Sequence, residues 1–194
     1  MKSELIQPIK KAQDRLRFKH YWYTQSSMGP RNWLMFRVGM ITALPSKAFC
    51  AIKRNEIYRE DGQPNNYISS VYLQTHYPNN IYVKPLRKDL ERYQEWLHNK
   101  GFKTPWLFPV SNHPQKHVDS QSFYITLKRA SKAVGLPYVG ISSLKKTFGY
   151  LAYKKTHDMI YVMRMLRQQS PTMTLRYIDI PADDPNEITK KIFS

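Results

Sequence analysis

Cysteine is nearly absent from this chain. Cys50 stands alone among 194 residues, which excludes an internal disulfide framework and any zinc or iron–sulfur site built from several thiolates. Long apolar runs are missing too. The longest, residues 33–44, is broken by Arg37 and is too short to cross a bilayer. The opening residues MKSELIQPIKK hold no apolar stretch of the kind a secretory signal needs. Acidic residues are scarce, with 14 Asp and Glu against 31 Lys and Arg. These absences predict a soluble intracellular protein with no span through a membrane.

What is present points to a folded, basic domain. Aromatic residues make up 13% of the chain, too many for a disordered polymer. The length suits one domain with a real core, here read as residues 1–194 with 181–194 as a tail. The formal net charge of +17 favours a polyanionic partner, nucleic acid first and an acidic membrane surface second. The charge is uneven, because Asp179, Asp183, Asp184 and Glu187 gather in the last 17 residues.

Hydrophobic spacing and turn residues divide the chain into elements. Residues 8–24 read as a basic helix ended by Ser26-Ser27-Met28-Gly29-Pro30. Leu34, Met35, Val38 and Ile41 mark a helix over 31–44. Pro45 suits the first turn of a short helix toward Ile52. The β-branched and aromatic run 67–73 and the run 81–83 read as strands joined by a hairpin over 74–80. Leu86, Leu90, Tyr93 and Leu97 line one face of a helix that Gly101 terminates. Trp106-Leu107-Phe108-Pro109 is a buried anchor before a polar loop. Ser120 opens a helix to Val134. A helix over 142–155 turns Leu144, Phe148, Leu151 and Ala152 inward. Asp158 caps the next, and Ser170-Pro171 starts one running through Tyr177. A final short helix is predicted over 186–192. The fold class is mixed α+β, mainly α-helical with one small antiparallel β-sheet.

Three stretches resemble the catalytic domain of the tyrosine recombinase (phage integrase) family. RNWLMFRVGMITAL (residues 31–44) is similar to the helix leading into the family's Thr-Gly-Leu-Arg motif. LKKTFGY (residues 144–150) is similar to the helix carrying its His-x-x-Arg motif. SPTMTLRYI (residues 170–178) is similar to the segment of the nucleophilic tyrosine. The set occurs in the family's order and spans about residues 6–180. The resemblance implies double-stranded DNA as partner and cleavage through a 3′-phosphotyrosyl bond. It implies two arginines gripping the phosphate, a hairpin lysine, histidines for proton transfer, and no metal or cofactor. It further implies a separate N-terminal DNA-binding domain, which this chain is expected to lack.

The residues at those positions depart from the pattern. The first arginine position is Pro45, after Thr42-Ala43-Leu44, and the acidic position three further on is Ala48. The hairpin lysine position falls near Gln74, with Lys84 the nearest lysine after it. His-x-x-Arg reads Ser142-Ser143-Leu144-Lys145. The later histidine or tryptophan position is Gln168. Tyr177 alone retains the expected group. Loss of one preorganised donor costs roughly 100- to 1000-fold in rate, and here the arginines and histidine-type groups change together. The expected function is therefore a DNA-binding or regulatory factor of a phage or mobile element with a degenerate site. Lys84, Lys145, Lys146 and Arg176 are its candidate DNA contacts. Two alternatives stay open: an active recombinase using Tyr177, Lys145 and Lys84, and a subunit that modulates an intact recombinase through the tail; the tail is also the candidate contact for a homo-oligomer. Cys50 reads as a small buried hydrophobe. His113 and His117 share a loop but lack further ligands for a metal.

Overall fold

The computed structural model describes residues 6–69 and 81–181. Gln74, most of the predicted hairpin and the helix predicted over 186–192 lie outside them. The elements are α1 (Ala12–Gln25), α2 (Gly29–Thr42), α3 (Ser46–Cys50), β1 (Tyr67–Ile68), β2 (Ile81–Tyr82), α4 (Arg87–Asn99), β3 (Pro109–Val110), β4 (His113–His117), α5 (Ser120–Ala133), α6 (Ile141–Thr156), α7 (Met159–Leu166) and α8 (Pro171–Tyr177). β1 pairs antiparallel with β2, as Tyr67 opposite Tyr82 and Ile68 opposite Ile81.

α2 is the central helix. It is apolar on nearly every side, the pattern of a helix wrapped by others, and Leu34, Met35, Phe36 and Val38 are all fully buried. Gly29 lets α1 close on it, since a Cβ there would strike the Trp22 carbonyl. Phe18 and Trp22 of α1 then meet Phe36 with ring centroids 4.8 and 5.3 Å away. On another side, a Cβ on Gly39 would lie 2.6 Å from Leu144 Cδ1, so glycine permits the close crossing of α2 and α6. Asp89, in the first turn of α4, accepts from Trp33 Nε1 at 3.0 Å and faces Arg37 Nε at 3.1 Å. That pair clamps α4 to α2.

The predicted face of α4 is the buried one: Leu90, Tyr93 and Leu97 enter the core. Tyr93 donates its hydroxyl to the Leu107 carbonyl at 2.7 Å, tying α4 to the anchor of Leu107 and Phe108, both fully buried. Gly101 follows the helix at φ 68, just past Lys100, the C-cap itself. Asp158 and Ser170 cap α7 and α8 as read from the sequence. Asp119 caps α5, one residue before the predicted Ser120.

Other readings also differ from the structure, and Trp106 of the predicted anchor is only partly buried. The polar stretch after Pro109 contains a second antiparallel pair, β3 with β4. Trp106 Nε1 donates to the Gln115 carbonyl at 2.9 Å and Gln115 Nε2 to the Lys103 carbonyl at 2.9 Å, so distant partners stabilise this hairpin where its own polar residues give no strand signal. Leu151 is 38% exposed rather than inward. The face of α6 that packs on the C-terminal helices runs through Phe148, Ala152 and Tyr153 instead.

A second, smaller apolar cluster joins the end of α2 to the C-terminal helices. Ala43, Val162, Leu166 and Ile178 form it, with Phe148, Tyr150, Tyr153 and Tyr177 packed around them. A Cβ on Gly149 would meet Leu166 Cδ1 at 2.6 Å and Ile178 Cγ2 at 2.7 Å. Glycine therefore sets how closely α7 and α8 approach α6.

Candidate nucleic-acid interface

The first candidate position sits at the end of α2. Thr42 donates its hydroxyl to the Val38 carbonyl at 2.8 Å and accepts from the Leu44 N–H at 3.3 Å, closing the helix. Ala43 then turns left-handed at φ 53, a conformation disfavoured for a residue with a Cβ. Pro45 follows as the N-cap of α3 and is exposed. Its carbonyl accepts from Ala48 and Phe49 at 2.9 and 3.1 Å. Its side chain presents neither charge nor donor.

α6 carries the next group. Ser143 is buried and its hydroxyl accepts from the Gly140 N–H at 3.1 Å, fixing the helix start. Ser142 beside it is exposed, and Lys145 is half-buried. Burial, then the Arg167 guanidinium, pushes the Lys145 pKa down, so two cations share this neighbourhood. Lys146 donates to the Ile6 carbonyl at 2.6 Å, and its ammonium lies 5.1 Å from the Tyr177 ring centroid. Burial lowers its pKa, opposed by Asp179.

Arg167 ends α7 in the left-handed region at φ 56. Gln168, next in the chain, is half-buried with its N–H on the Met163 carbonyl at 2.9 Å. α8 begins at Ser170 and Pro171. Thr174 is buried, its hydroxyl on the Ser170 carbonyl at 2.7 Å. Tyr177 is the last residue of α8 and is half-buried. Burial alone raises its phenol pKa, leaving less phenolate near neutral pH than a free tyrosine would offer. Arg176 and Lys84 are exposed.

Ser142 and Lys145 on α6, Gln168 just after α7 and Tyr177 on α8 thus sit on or beside helices joined by the smaller cluster, and Ala43, two residues before Pro45, belongs to it. Direct contact joins Tyr177 to Lys146, and charge couples Lys145 to Arg167. Beside them lies a mainly apolar cavity of about 360 Å³, lined in part by Thr42, Tyr82, Phe148 and Tyr161. A larger cleft of about 940 Å³ opens among Lys53, Arg54, Arg59 and Trp106, and none of the candidate residues lines it.

The sequence did not mark Lys10, Thr147 or Arg167, and marked Asp179 only as one of the C-terminal acids. Their partners lie far along the chain, so no local motif marks them. Cys50 is fully buried and its thiol is pushed up to about 12. Among the described residues no group of three or more His, Cys, Asp or Glu is placed to hold a metal ion. No helix among them is long and apolar enough to cross a membrane.

No protein-family model matches the chain. A protein of Bacillus subtilis (strain 168), named "Probable integrase/recombinase YoeC", is 25% identical over 190 residues, covering 97% of each chain. Among solved structures, XerA recombinase superposes with a TM-score of 0.68 at 14% identity, covering 97% of this chain and 66% of that one. The Tn1549 transposon integrase in complex with circular intermediate DNA gives 0.70 at 12% identity, over 98% and 67%. XerH recombinase bound to its difH substrate gives 0.67 at 19% identity, over 100% and 55%. The chain therefore spans between about half and two thirds of these solved chains. The fold is that of the tyrosine recombinase catalytic domain. Along its whole length the chain is also similar in sequence to the Bacillus protein named as a probable integrase/recombinase.

Proposed function

We propose that this chain binds double-stranded DNA through a tyrosine recombinase scaffold whose catalytic site is degenerate, and that it serves as a DNA-binding or regulatory factor of a phage or mobile element. One observation carries the reading: the two positions where the family places phosphate-gripping arginines hold Pro45 and Lys145. A phosphodiester under attack gains negative charge that fixed donors must offset. Proline supplies none. Lysine supplies a point charge where a guanidinium fork would hold two oxygens. Ser142 and Gln168 replace the proton-transfer groups, and Gln74 replaces the hairpin lysine.

DNA binding itself does not need the guanidinium forks or the proton-transfer groups. A net charge of +17 supplies it through neutralised phosphates and released counterions. Lys84, Lys145, Lys146 and Arg176 are the proposed contacts. The tail over 181–194 is the proposed docking segment for a second copy or a recombinase partner. The test is a salt titration of duplex binding. With about six phosphates neutralised, affinity falls roughly a thousand-fold between about 50 and 200 mM salt. Affinity flat across that range, alongside capture of an intact recombinase, would favour the partner-subunit reading instead.

A second reading rests on the Lys146 ammonium 5.1 Å from the Tyr177 ring. In an active enzyme, Tyr177 would lose its phenol proton to solvent and attack phosphorus, the bond to the 5′ oxygen would break with that oxygen taking a proton from a lysine, and Lys145 would bear the phosphate charge. The burial that raises the Tyr177 pKa weighs against it.

A further inference from the structure

Before α1 the chain runs across α6 toward the end of α8. Ile9 is fully buried, and its N–H donates to Thr147 Oγ1 at 2.8 Å. The Thr147 hydroxyl in turn donates to the Ser143 carbonyl at 2.6 Å, so the anchor point belongs to the helix itself. Two ammonium groups flank it. Lys146 reaches from α6 to the Ile6 carbonyl at 2.6 Å while lying over the Tyr177 ring. Lys10 reaches the other way: Nζ lies 2.8 Å from Asp179 Oδ2 and 2.8 Å from the Asp179 carbonyl, with the Tyr150 ring centroid 5.2 Å away. Asp179 stands at φ 57, so the turn just after Tyr177 adopts a conformation that a residue with a Cβ resists. Both polar contacts of Lys10 fall on that residue.

We propose that residues 6–10 latch the Tyr177 segment onto α6, and that Lys10 is the positioning residue that sets how far the Tyr177 phenol is exposed. The latch is independent of whether Tyr177 reacts with DNA. It is built to open: the Lys10–Asp179 pair is partly solvent-exposed on both sides, a class of ion pair that contributes little and weakens with salt. Ile9 and Thr147 keep the segment on α6 when the ion pair parts, so release frees the turn after α8 without unfolding the core.

The test is tyrosine nitration of the full chain without DNA, mapped by peptide mass spectrometry, with exposed Tyr23 and Tyr124 as internal references. Lys10→Met keeps the aliphatic stem and removes the charge; Tyr177 nitration should rise roughly two- to five-fold, the range that loss of one exposed ion pair supports. Asp179→Asn should give a smaller rise, because the Asp179 carbonyl still accepts. Lys10→Arg should return Tyr177 to the parent level, since arginine can engage both carboxylate and ring. Tyr177 reactivity unchanged in Lys10→Met overturns the latch, as does an equal rise at Tyr23 and Tyr124, which would mean general loosening. Should Lys10→Met fail to fold, Asp179→Asn decides by the same reading.

Discussion

The Lys146 ammonium lies 5.1 Å from the centroid of the Tyr177 ring and holds the Ile6 carbonyl at 2.6 Å. The residue proposed for the nucleophile position is thus packed under a cation that already has a partner in the N-terminal segment. Tyr177 is also half-buried at the edge of an apolar cluster. Packing accounts for a tyrosine here, because its partly buried ring lies against the cluster.

That packing depends on Gly149. Alanine gains up to about 1 kcal/mol over glycine inside a helix, which would favour Gly149→Ala. Against it, the new methyl would press Leu166 and Ile178 at 2.6 and 2.7 Å, on two different segments. Overpacking of this kind costs about 1–3 kcal/mol, so the clash wins. Urea unfolding of Gly149→Ala should show a lower midpoint at unchanged slope. An equal or higher midpoint would mean that α7 and α8 do not sit this close to α6.

Alkaline pH should destabilise the fold. Burial raises the phenol pKa of Tyr58, Tyr93 and Tyr177. Above the ordinary phenol value of about 10, the unfolded chain has released protons that these folded sites retain. Stability is then fully present below about pH 10 and falls as pH climbs toward the raised folded values. Melting temperatures between pH 8 and 11, with absorbance at 295 nm reporting phenolate, should show the fall above pH 10 with little phenolate forming at these sites before unfolding. A flat profile would contradict the burial.

Cys50 should be silent in the folded protein. Its side chain is fully buried and its thiol is pushed up to about 12 by that burial, so almost no thiolate exists near neutral pH. Labelling with a chromogenic disulfide reagent should be slow in buffer and complete in concentrated urea. Immediate labelling of the native chain would place Cys50 at the surface.

Local chemistry made much of the fold legible. Leu90, Tyr93 and Leu97 announce the inward face of α4 by spacing alone, and Asp158 and Ser170-Pro171 announce helix starts by their capping chemistry. The β3–β4 hairpin was not legible: its residues are polar, and Trp106 and Lys103 hold it from outside. Leu151 misled because helical spacing marks a face without saying where the partner surface ends. The candidate positions could be found only as an ordered set of motifs. What surrounds them is non-local, as Lys10 and Asp179 show across a separation of 169 residues.

Restoring the site should be all or nothing. Groups that act on one phosphate as a unit lose most of their effect when any of them is absent. Pro45→Arg alone should leave cleavage undetectable, and it also releases a fixed φ and adds an N–H. The joint change Pro45→Arg, Gln74→Lys, Ser142→His, Lys145→Arg and Gln168→His should yield a covalent DNA adduct that Tyr177→Phe abolishes. Full activity from Pro45→Arg alone would show that the other positions are not degenerate.

The unmodified chain provides the most direct test. A nicked suicide duplex traps any tyrosine recombinase at the phosphotyrosyl stage, and the adduct is read as a shifted band on a denaturing gel. The account predicts that the duplex is bound at low salt and no adduct forms with the sequence as it stands. An adduct that forms efficiently and disappears in Tyr177→Phe would contradict the degenerate site and identify the chain as a working recombinase.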